Sequence, residues 1–398
     1  MLHVSGGTTI KRGSSIPAPG TKQGSHLELA AQIKKQVSIP VATVGRITEP
    51  WIANEIIANG MADACMIGRA NLCDPEFANK AYEGRTDEIK PCIGCTRCLN
   101  GIMFGKRVSC SVNPSFELEN EDNIPESAEK KNVLVIGGGL AGLEAAYVLH
   151  KRGHHVVLCE ASERLGGQVN IAAVPIAKQE LCKVVKYLKA RLEKNNVEVR
   201  LNTTVTKELI ETEFKDYEIV GAYGAKPNVI PFLTEFNQWA TADDILSGKA
   251  FPGQKVVILG GGSVGCELAD YLAPLLNDRF IRNRDITVIE MGKEILMSET
   301  GAGRSVLVQR MLQKGIHIEC NAKVTSAKDS KIYYEQNGTE HVIEDVNTLI
   351  FATGYHIDAT IEDMLKETGN TYHLIGDCNK VGNIKDASSA AYETARKI

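Results

Sequence analysis

The sequence predicts an α/β fold dominated by parallel sheets, and two observations support this prediction. Residues 1–90 alternate short apolar strands with helical stretches, a pattern that implies parallel pairing of the strands. Farther along the chain, a glycine-rich motif that follows an apolar strand begins at Gly137 and recurs 123 residues later, at Gly260. A repeat on this scale indicates two related domains rather than a solenoid of short units.

Length and composition exclude several classes of protein. The 398 residues suffice for two or three domains, and 24% charged and 43% hydrophobic residues are typical of globular chains. A net charge of −4 without a basic stripe argues against nucleic acid as a partner. Neither an apolar span of membrane length nor a secretory leader is visible, so we expect a cytoplasmic protein whose 11 cysteines are reduced or bind metal.

The first 90 residues are predicted to hold three strands, and two of them end in a Gly-Arg pair. Those pairs are Gly45-Arg46 and Gly68-Arg69. Asp74 is the expected N-cap of a helix that starts at Pro75, and His26 is expected on the surface. Strands are predicted at 2–4, 39–44 and 64–67, and helices at 27–37, at 50–59 and from 75 onward.

The first glycine motif has the local pattern of a dinucleotide site. Gly137 permits a tight turn, Gly139 lets backbone N–H groups approach a pyrophosphate, and Gly142 lets the next helix pack on the strand. The following strand ends at Glu160, 23 residues after Gly137, where a carboxylate would bind a ribose hydroxyl. A purely structural glycine turn is the alternative.

The second motif, Gly260-x-Gly262-x-x-Gly265, repeats this pattern, and its acid is Glu290. The spacing is wider here because we expect an extended turn at 274–285. Glu290 would bind a 2′-hydroxyl and repel a 2′-phosphate, so NAD(H) is favoured over NADP(H). NADPH remains the alternative, because two arginines lie just upstream of the acid.

Four cysteines are spaced as the ligands of a metal centre. Three of them crowd within seven residues and the fourth is remote, a spacing that suits a [4Fe–4S] cluster better than the paired knuckles of a zinc ribbon. Zinc and free thiols are the alternatives. These candidate ligands are Cys92, Cys95, Cys98 and Cys110. The remaining cysteines are expected to be buried small hydrophobic residues: Cys65, Cys73, Cys159, Cys182, Cys266, Cys320 and Cys378.

Three further stretches resemble flavoproteins with two dinucleotide-binding domains. They are Glu-Arg-Leu-Gly-Gly-Gln at 163–168, Phe-Ala-Thr-Gly at 351–354 and Leu-Ile-Gly-Asp at 374–377. The resemblance implies FAD at the first site and NAD(H) at the second. It implies an FAD domain at 131–240 plus 346–398 and an NAD(P)H domain at 241–345. It adds Arg164, Gly166, Gly167, Gln168, Gly376 and Asp377 to the FAD site and Gly354 to the NAD site.

Residues 39–50, 64–70 and 91–95 closely resemble the iron–sulfur branch of the old yellow enzyme family. Its members include 2,4-dienoyl-CoA reductase, 2-enoate reductase and trimethylamine dehydrogenase, and the resemblance covers essentially the whole chain. It implies a TIM barrel that binds FMN, with the phosphate held at Gly45, Arg46, Gly68 and Arg69. Residues 1–90 would then be the C-terminal part of the barrel, 91–116 the [4Fe–4S] loop and 117–130 a linker.

The chain departs from this family in two respects. Residues 1–90 supply about three strands, whereas a closed barrel has eight, so the FMN site and the substrate pocket are incomplete in this chain. Three explanations are open: a fragment, a misplaced start, or one product of a split gene whose missing strands a second chain supplies. The dienoyl-CoA reductases also carry a catalytic His just after the sixth strand, and the corresponding residues 6–12 of this chain contain no His. Dienoyl-CoA reduction is therefore not expected, and no catalytic residue is nominated.

The function that the resemblance implies is an NADH-dependent electron relay. NADH would reduce FAD, the [4Fe–4S] cluster would accept single electrons, and FMN would reduce an activated C=C bond of an enoate or enoyl thioester. One alternative is an electron-transfer subunit that serves a separate barrel chain, and another is an inactive fragment or binding module. Amine oxidation of the trimethylamine dehydrogenase type is a further alternative, although the second glycine motif and Glu290 look intact here.

Overall fold

The computed structural model describes two compact units. The chain leaves the first unit, builds the second and returns to complete the first. Unit 1 comprises 1–170, 180–225 and 357–398, and unit 2 comprises 171–179 and 226–356. The described residues are 1–7, 16–17, 19–103, 105, 107–116, 124–273, 284–297 and 302–398. Most of the expected turn at 274–285, half of the linker at 117–130 and residues 8–12 lie outside them.

The N-terminal part of unit 1 alternates strands and helices, as the sequence predicts. Its three strands pair in parallel in the order β1-β2-β3. The strands are β1 (Leu2–Val4), β2 (Val41–Thr43) and β3 (Ala64–Cys65). The helices are α1 (Leu27–Lys34), α2 (Pro50–Ala58), α3 (Arg69–Cys73), α4 (Phe77–Tyr82) and α5 (Arg97–Met103). Helix α5 lies in the cysteine segment, which the sequence indicated only as a loop.

Two expectations for this region were wrong. Asp74 is not the N-cap of the next helix, because α4 begins only at Phe77 and has Glu76 as its N-cap. The Asp74 side chain is 1% exposed. The carboxylate instead accepts hydrogen bonds from the Lys80 ammonium and from the backbone N–H of Lys90, each at 2.8 Å. A buried charge requires such partners. His26 is buried rather than exposed, and it lies directly against Gly6.

The dinucleotide-type sheet of unit 1 is built from parallel strands, of which β4, β5 and β7 are mostly buried and β6 is half-exposed. The strands are β4 (Asn132–Ile136), β5 (His155–Cys159), β6 (Glu198–Arg200) and β7 (Glu218–Gly221). The helices that follow them are α6 (Leu140–Lys151), α7 (Gln168–Ala172), α8 (Cys182–Lys194) and α9 (Lys207–Glu213). A strand buried on both faces reads as a continuous apolar run, which is why the sequence identifies β4 and β5 clearly.

Unit 2 holds a second five-stranded parallel sheet, ordered β12-β11-β10-β16-β9, and an antiparallel sheet, β13-β14-β15. Its strands are β8 (Lys226–Pro227), β9 (Trp239–Thr241), β10 (Lys255–Leu259), β11 (Asp285–Ile289), β12 (His317–Glu319), β13 (Ala322–Lys328), β14 (Lys331–Gln336), β15 (Thr339–Ile343), β16 (Thr348–Phe351) and β17 (Tyr355–His356). Its helices are α10 (Ala242–Leu246), α11 (Ser263–Leu272) and α12 (Ala302–Gln313). The NAD(P)H domain was expected at 241–345. Because β9 and β16 belong to this sheet, the sheet extends beyond that range at both ends.

The returning chain completes the first sheet. It forms α13 (Thr360–Thr368), β18 (Tyr372–Leu374) and α14 (Ile384–Ala395). Strand β18 pairs in parallel with β7, which gives the order β18-β7-β4-β5-β6, and α14 packs along α6. The predicted α/β class with two Rossmann-like sheets is confirmed. Of the helices described here, none has the length and apolar character that crossing a membrane would require.

Candidate functional site

The first glycine loop joins β4 to α6 and leaves the N-terminus of that helix open. Gly137 adopts a φ of +106°, a conformation that side chains disfavour. A Cβ on Gly142 would lie 1.9 Å from the carbonyl oxygen of Gly137, so any side chain there would collide with the loop. Gly139, the N-cap of α6, has no atom within 4 Å of its would-be Cβ. Free space before a helix N-terminus suits a pyrophosphate.

Three further predicted residues converge on this loop. Glu160 accepts the Gly138 N–H at 2.7 Å. The Gly166 N–H donates to the Gly138 carbonyl at 2.8 Å, and a Cβ on Gly167 would lie 3.2 Å from the Gly139 Cα. The carboxylate and the Gly-Gly turn are therefore held against the glycine loop.

The remaining residues predicted for this site lie nearby in the same unit. Gly376 follows β18, and its would-be Cβ lies 3.0 Å from the Ala141 Cβ in the first turn of α6. Asp377 accepts the Gly382 N–H at 3.1 Å, and burial raises the pKa of its carboxyl group. Arg164 is exposed, and Gln168 begins α7.

The second glycine loop repeats this geometry in unit 2. Gly260 has a φ of +105°, and a Cβ on Gly265 would lie 2.0 Å from the Gly260 carbonyl oxygen. Gly262 caps α11 and again has open space. Glu290 accepts the Gly261 N–H at 2.6 Å, as Glu160 does in the first loop. The two glycine loops thus have the same geometry, and both leave space for a nucleotide at the N-terminus of the following helix.

Gly354 lies in the turn that follows β16. Its φ is +87°, and its carbonyl accepts the backbone N–H of Asn228 at 2.8 Å. Just before it, the Ala352 carbonyl oxygen lies 2.4 Å from the would-be Cβ of Gly260. This turn therefore packs directly under the second glycine loop.

The four predicted cysteine ligands line one cavity in unit 1. They share it with Arg69 and with a fifth cysteine, Cys73. The backbone N–H of Asn113 donates to the Cys110 sulfur at 3.4 Å, and the Ser111 hydroxyl lies 3.4 Å from the Cys95 sulfur. In the described part of the chain, no group of three or more His, Cys, Asp or Glu side chains is arranged to hold a metal ion. By its chemistry, although not by the present arrangement of the side chains, the cavity's donor set of four thiols is that of an iron–sulfur cluster.

The thiols that line this cavity differ in their pKa. Burial raises the pKa of Cys92 to about 11 and also raises that of Cys98. A hydrogen bond from Cys73 instead lowers the pKa of Cys110 to about 6. Sequence reasoning missed Cys73 as a member of this cavity. Its spacing of four residues from Arg69, which places both on one helix face, is the signal that could have revealed it.

The two Gly-Arg pairs line a second cavity, of about 250 Å³, together with His26 and Thr48. Arg46 is buried, ion-pairs with Glu180 and donates to a backbone carbonyl. Burial, and next the positive charge of Arg69, hold the pKa of Arg46 below its usual range. Two guanidinium groups close together beside a cavity favour a phosphate there.

Arg69 connects the two cavities, because it lines both of them. Its guanidinium group lies 3.4 Å from the Gly94 carbonyl oxygen in the cysteine loop. The Ser388 hydroxyl of α14 donates to the Ser111 carbonyl at 3.0 Å. The cysteine cavity thus shares Arg69 with the Gly-Arg cavity and has in its wall Ser111, which α14 contacts.

The chain matches two protein families in succession. Residues 10–88 match the NADH:flavin oxidoreductase / NADH oxidase family, and 110–221 and 208–377 match the pyridine nucleotide-disulphide oxidoreductase family. It is 32% identical to a cinnamate reductase of Clostridium sporogenes, covering 96% of this chain and 57% of that protein. It is 35% identical to an NADH oxidase of Thermoanaerobacter brockii, covering 100% of this chain and 61% of that protein.

A solved 2-naphthoyl-CoA reductase complex is similar in structure, with a TM-score of 0.88 at 27% identity over 96% of this chain and 57% of that one. The chain therefore spans about 57–61% of the length of these relatives. FAD, FMN, NADH and an iron–sulfur cluster, the cofactors that the sequence predicts, are those of this combination of families. The chain belongs to the iron–sulfur flavoprotein branch of the old yellow enzyme family.

Proposed function

We propose that the chain forms the electron-input part of an NADH-dependent reductase of activated C=C bonds. The redox chemistry would come from the bound cofactors, which are NADH, FAD, a [4Fe–4S] cluster and FMN. Together they would divide the electron pair of NADH into single electrons and reduce an enoate or enoyl thioester. The chain's own residues hold and orient these groups. Because the relatives are longer than this chain, the substrate pocket is assigned to no residue here.

The placement of Arg69 on both cavities is the observation that carries this proposal. A group held by the four thiols and a flavin phosphate held by the Gly-Arg pairs would be separated by one side chain. Arg69 would neutralise negative charge in both cavities. Arg46, which already forms an ion pair with Glu180, would hold the loop after β2 in place. A cation shared in this way would offset the repulsion between two anionic groups held close together.

The FAD site is assigned to the first glycine loop and the NAD site to the second. The N–H groups at the start of α6 would hold the FAD pyrophosphate, Glu160 the ribose, and Asp377 the middle of the flavin chain. In unit 2, Glu290 would bind both ribose hydroxyl groups of NADH and repel a 2′-phosphate.

Anaerobic purification with quantification of metal, sulfide and flavin tests this proposal directly. We expect about four iron, about four sulfide and about one FAD per chain, with a visible spectrum that bleaches on addition of NADH. Zinc without sulfide would overturn the relay and leave a flavoprotein with a structural metal. Iron and sulfide with a flavin that NADH does not reduce would overturn the assignment of the second loop.

Replacing Glu290 with glutamine tests the assignment of nucleotide preference. The change keeps the size of the side chain but removes the charge that repels a 2′-phosphate, so preference for NADH over NADPH should fall by about tenfold or more. Rates of flavin bleaching with the two nucleotides measure this preference. Glu344→Gln, the same change at an exposed ion pair with Lys331, is the control and should leave the preference unchanged. An unchanged preference in Glu290→Gln would refute the assignment.

A further inference from the structure

His26 lies in the wall of the cavity that the two Gly-Arg pairs line, and the proposed function gives it no role. It is 7% exposed and shares the cavity with Arg46 and Arg69. It is the residue before helix α1, yet its side chain makes no hydrogen bond that caps the helix. In the part of the chain that the structure describes, the imidazole has no hydrogen-bond partner. Because buried polar groups normally have a partner, the ring is available to a ligand in the cavity.

The fold fixes the imidazole of His26 at the edge of this cavity. Its Nδ1 lies 2.7 Å from the position that a Cβ on Gly6 would take, so the ring occupies space that only a glycine after β1 leaves. The backbone N–H groups of Gly24 and Ser25 donate to the Gly45 carbonyl at 2.7 and 3.1 Å. These bonds tie the start of α1 to the first Gly-Arg pair. His26 is therefore held between the loops that follow β1 and β2.

The polar groups around His26 indicate an anionic ligand. The Ser25 hydroxyl, beside Gly45, and the Arg46 Nε–H are buried and have no hydrogen-bond partner among the described residues. Arg69 adds a second guanidinium group to the cavity wall, and none of the described residues that line the cavity is acidic. A phosphate monoester accepts several hydrogen bonds and is negatively charged, so it suits this set of donors and cations. A cationic ligand would be repelled.

We propose that His26 donates an imidazole N–H to the phosphate of FMN in the Gly-Arg cavity and thereby makes the chain select FMN over riboflavin. This inference rests on the proposed function, which places that phosphate at the Gly-Arg pairs. Arg69 supplies positive charge, and His26 adds a directed hydrogen bond from the start of α1. Riboflavin lacks the phosphate, so it would leave the imidazole without an acceptor. His26 acts in binding alone and transfers no proton.

Equilibrium dialysis of the FAD-loaded full chain against FMN or riboflavin, with the bound flavins separated by chromatography, tests the inference. His26→Ala removes a hydrogen bond to a charged group, so the Kd for FMN should rise about tenfold or more, while the Kd for riboflavin should change less than about twofold. His26→Gln keeps an N–H donor at a similar distance from the backbone and should stay within about threefold of the wild-type Kd for FMN.

Two further variants complete the set. His26→Leu fills the space of the ring without a donor, so it should repeat the effect of His26→Ala even if the alanine variant does not fold. The FAD content of each variant reports whether unit 1 is folded. His317→Ala, at an exposed histidine of unit 2, is the control and should change neither Kd.

The ratio of the two Kd values separates the possible outcomes. Selective weakening of FMN binding in the variants without a donor, with recovery in His26→Gln, supports the inference. Equal weakening of FMN and riboflavin overturns it, because His26 would then only shape the loop before α1. Unchanged FMN binding without the donor also overturns it. A wild-type chain that binds FMN no more tightly than riboflavin, or binds neither, would instead overturn the placement of the flavin phosphate in the proposed function.

Discussion

Replacing Gly142 with alanine should strip FAD from the chain while leaving the second nucleotide site intact. The new Cβ would lie 1.9 Å from the Gly137 carbonyl oxygen, so α6 would have to move away from the loop that holds the pyrophosphate. Overpacking of this kind costs about 1–3 kcal/mol, which corresponds to an affinity loss of about 5- to 150-fold. FAD content after gel filtration measures the effect.

Gly265→Ala is the matched variant in unit 2, where the Cβ would lie 2.0 Å from the Gly260 carbonyl oxygen. This variant should retain FAD, be bleached by dithionite and fail to be bleached by NADH at concentrations that suffice for the wild type. The two variants make the same chemical change in two loops of the same shape. Full FAD occupancy in Gly142→Ala, or loss of FAD in Gly265→Ala, would contradict the assignment of the two sites.

Cys98→Ala should abolish cluster assembly and break the relay after FAD. Three thiols cannot complete the four-thiolate ligand set of a [4Fe–4S] cluster, so iron should fall from about four to below about one per chain. Because the first glycine loop is unaltered, FAD should stay bound, and its reduction by NADH should stay within about twofold of the wild-type rate. Stopped-flow absorption under anaerobic conditions, with iron and sulfide analysis, measures both effects.

Cys182→Ala is the control for that experiment. Cys182 is exposed at the start of α8 and is outside the cavity of the four thiols, so its removal should change neither iron content nor flavin reduction. Wild-type iron in Cys98→Ala would show that another residue completes the ligand set. Loss of FAD from Cys98→Ala would show that the cysteine loop supports the flavin site structurally.

The nucleotide loops were predictable from sequence because their determinants are local. A buried strand, a turn that only glycine tolerates and an acid at the end of the next strand all lie within about 30 residues, and each has its own sequence signal. The structure accordingly holds Glu160 and Glu290 against their loops, with the same backbone contact in each.

The surroundings of the cysteine cavity were less predictable, because they depend on contacts between distant segments. Arg46 is buried through its pairing with Glu180, and no local pattern connects these two residues. From the sequence alone, Cys73 is expected to be one more small buried hydrophobic residue. Only the structure shows that it lines the cavity of the four cysteines. Helix α5 is only seven residues long and has Asn100 and Gly101, both poor helix formers, in its interior, so its sequence signal is weak.

The return of the chain to unit 1 has a consequence for biogenesis. The first sheet lacks a strand until β18 has been synthesised, and the cysteine loop lacks its contact from α14 until Ser388 has left the ribosome. Most of unit 2 is one continuous stretch and can fold while translation proceeds. The cysteine loop therefore gains its contact with α14 only after the continuous stretch of unit 2 has been synthesised.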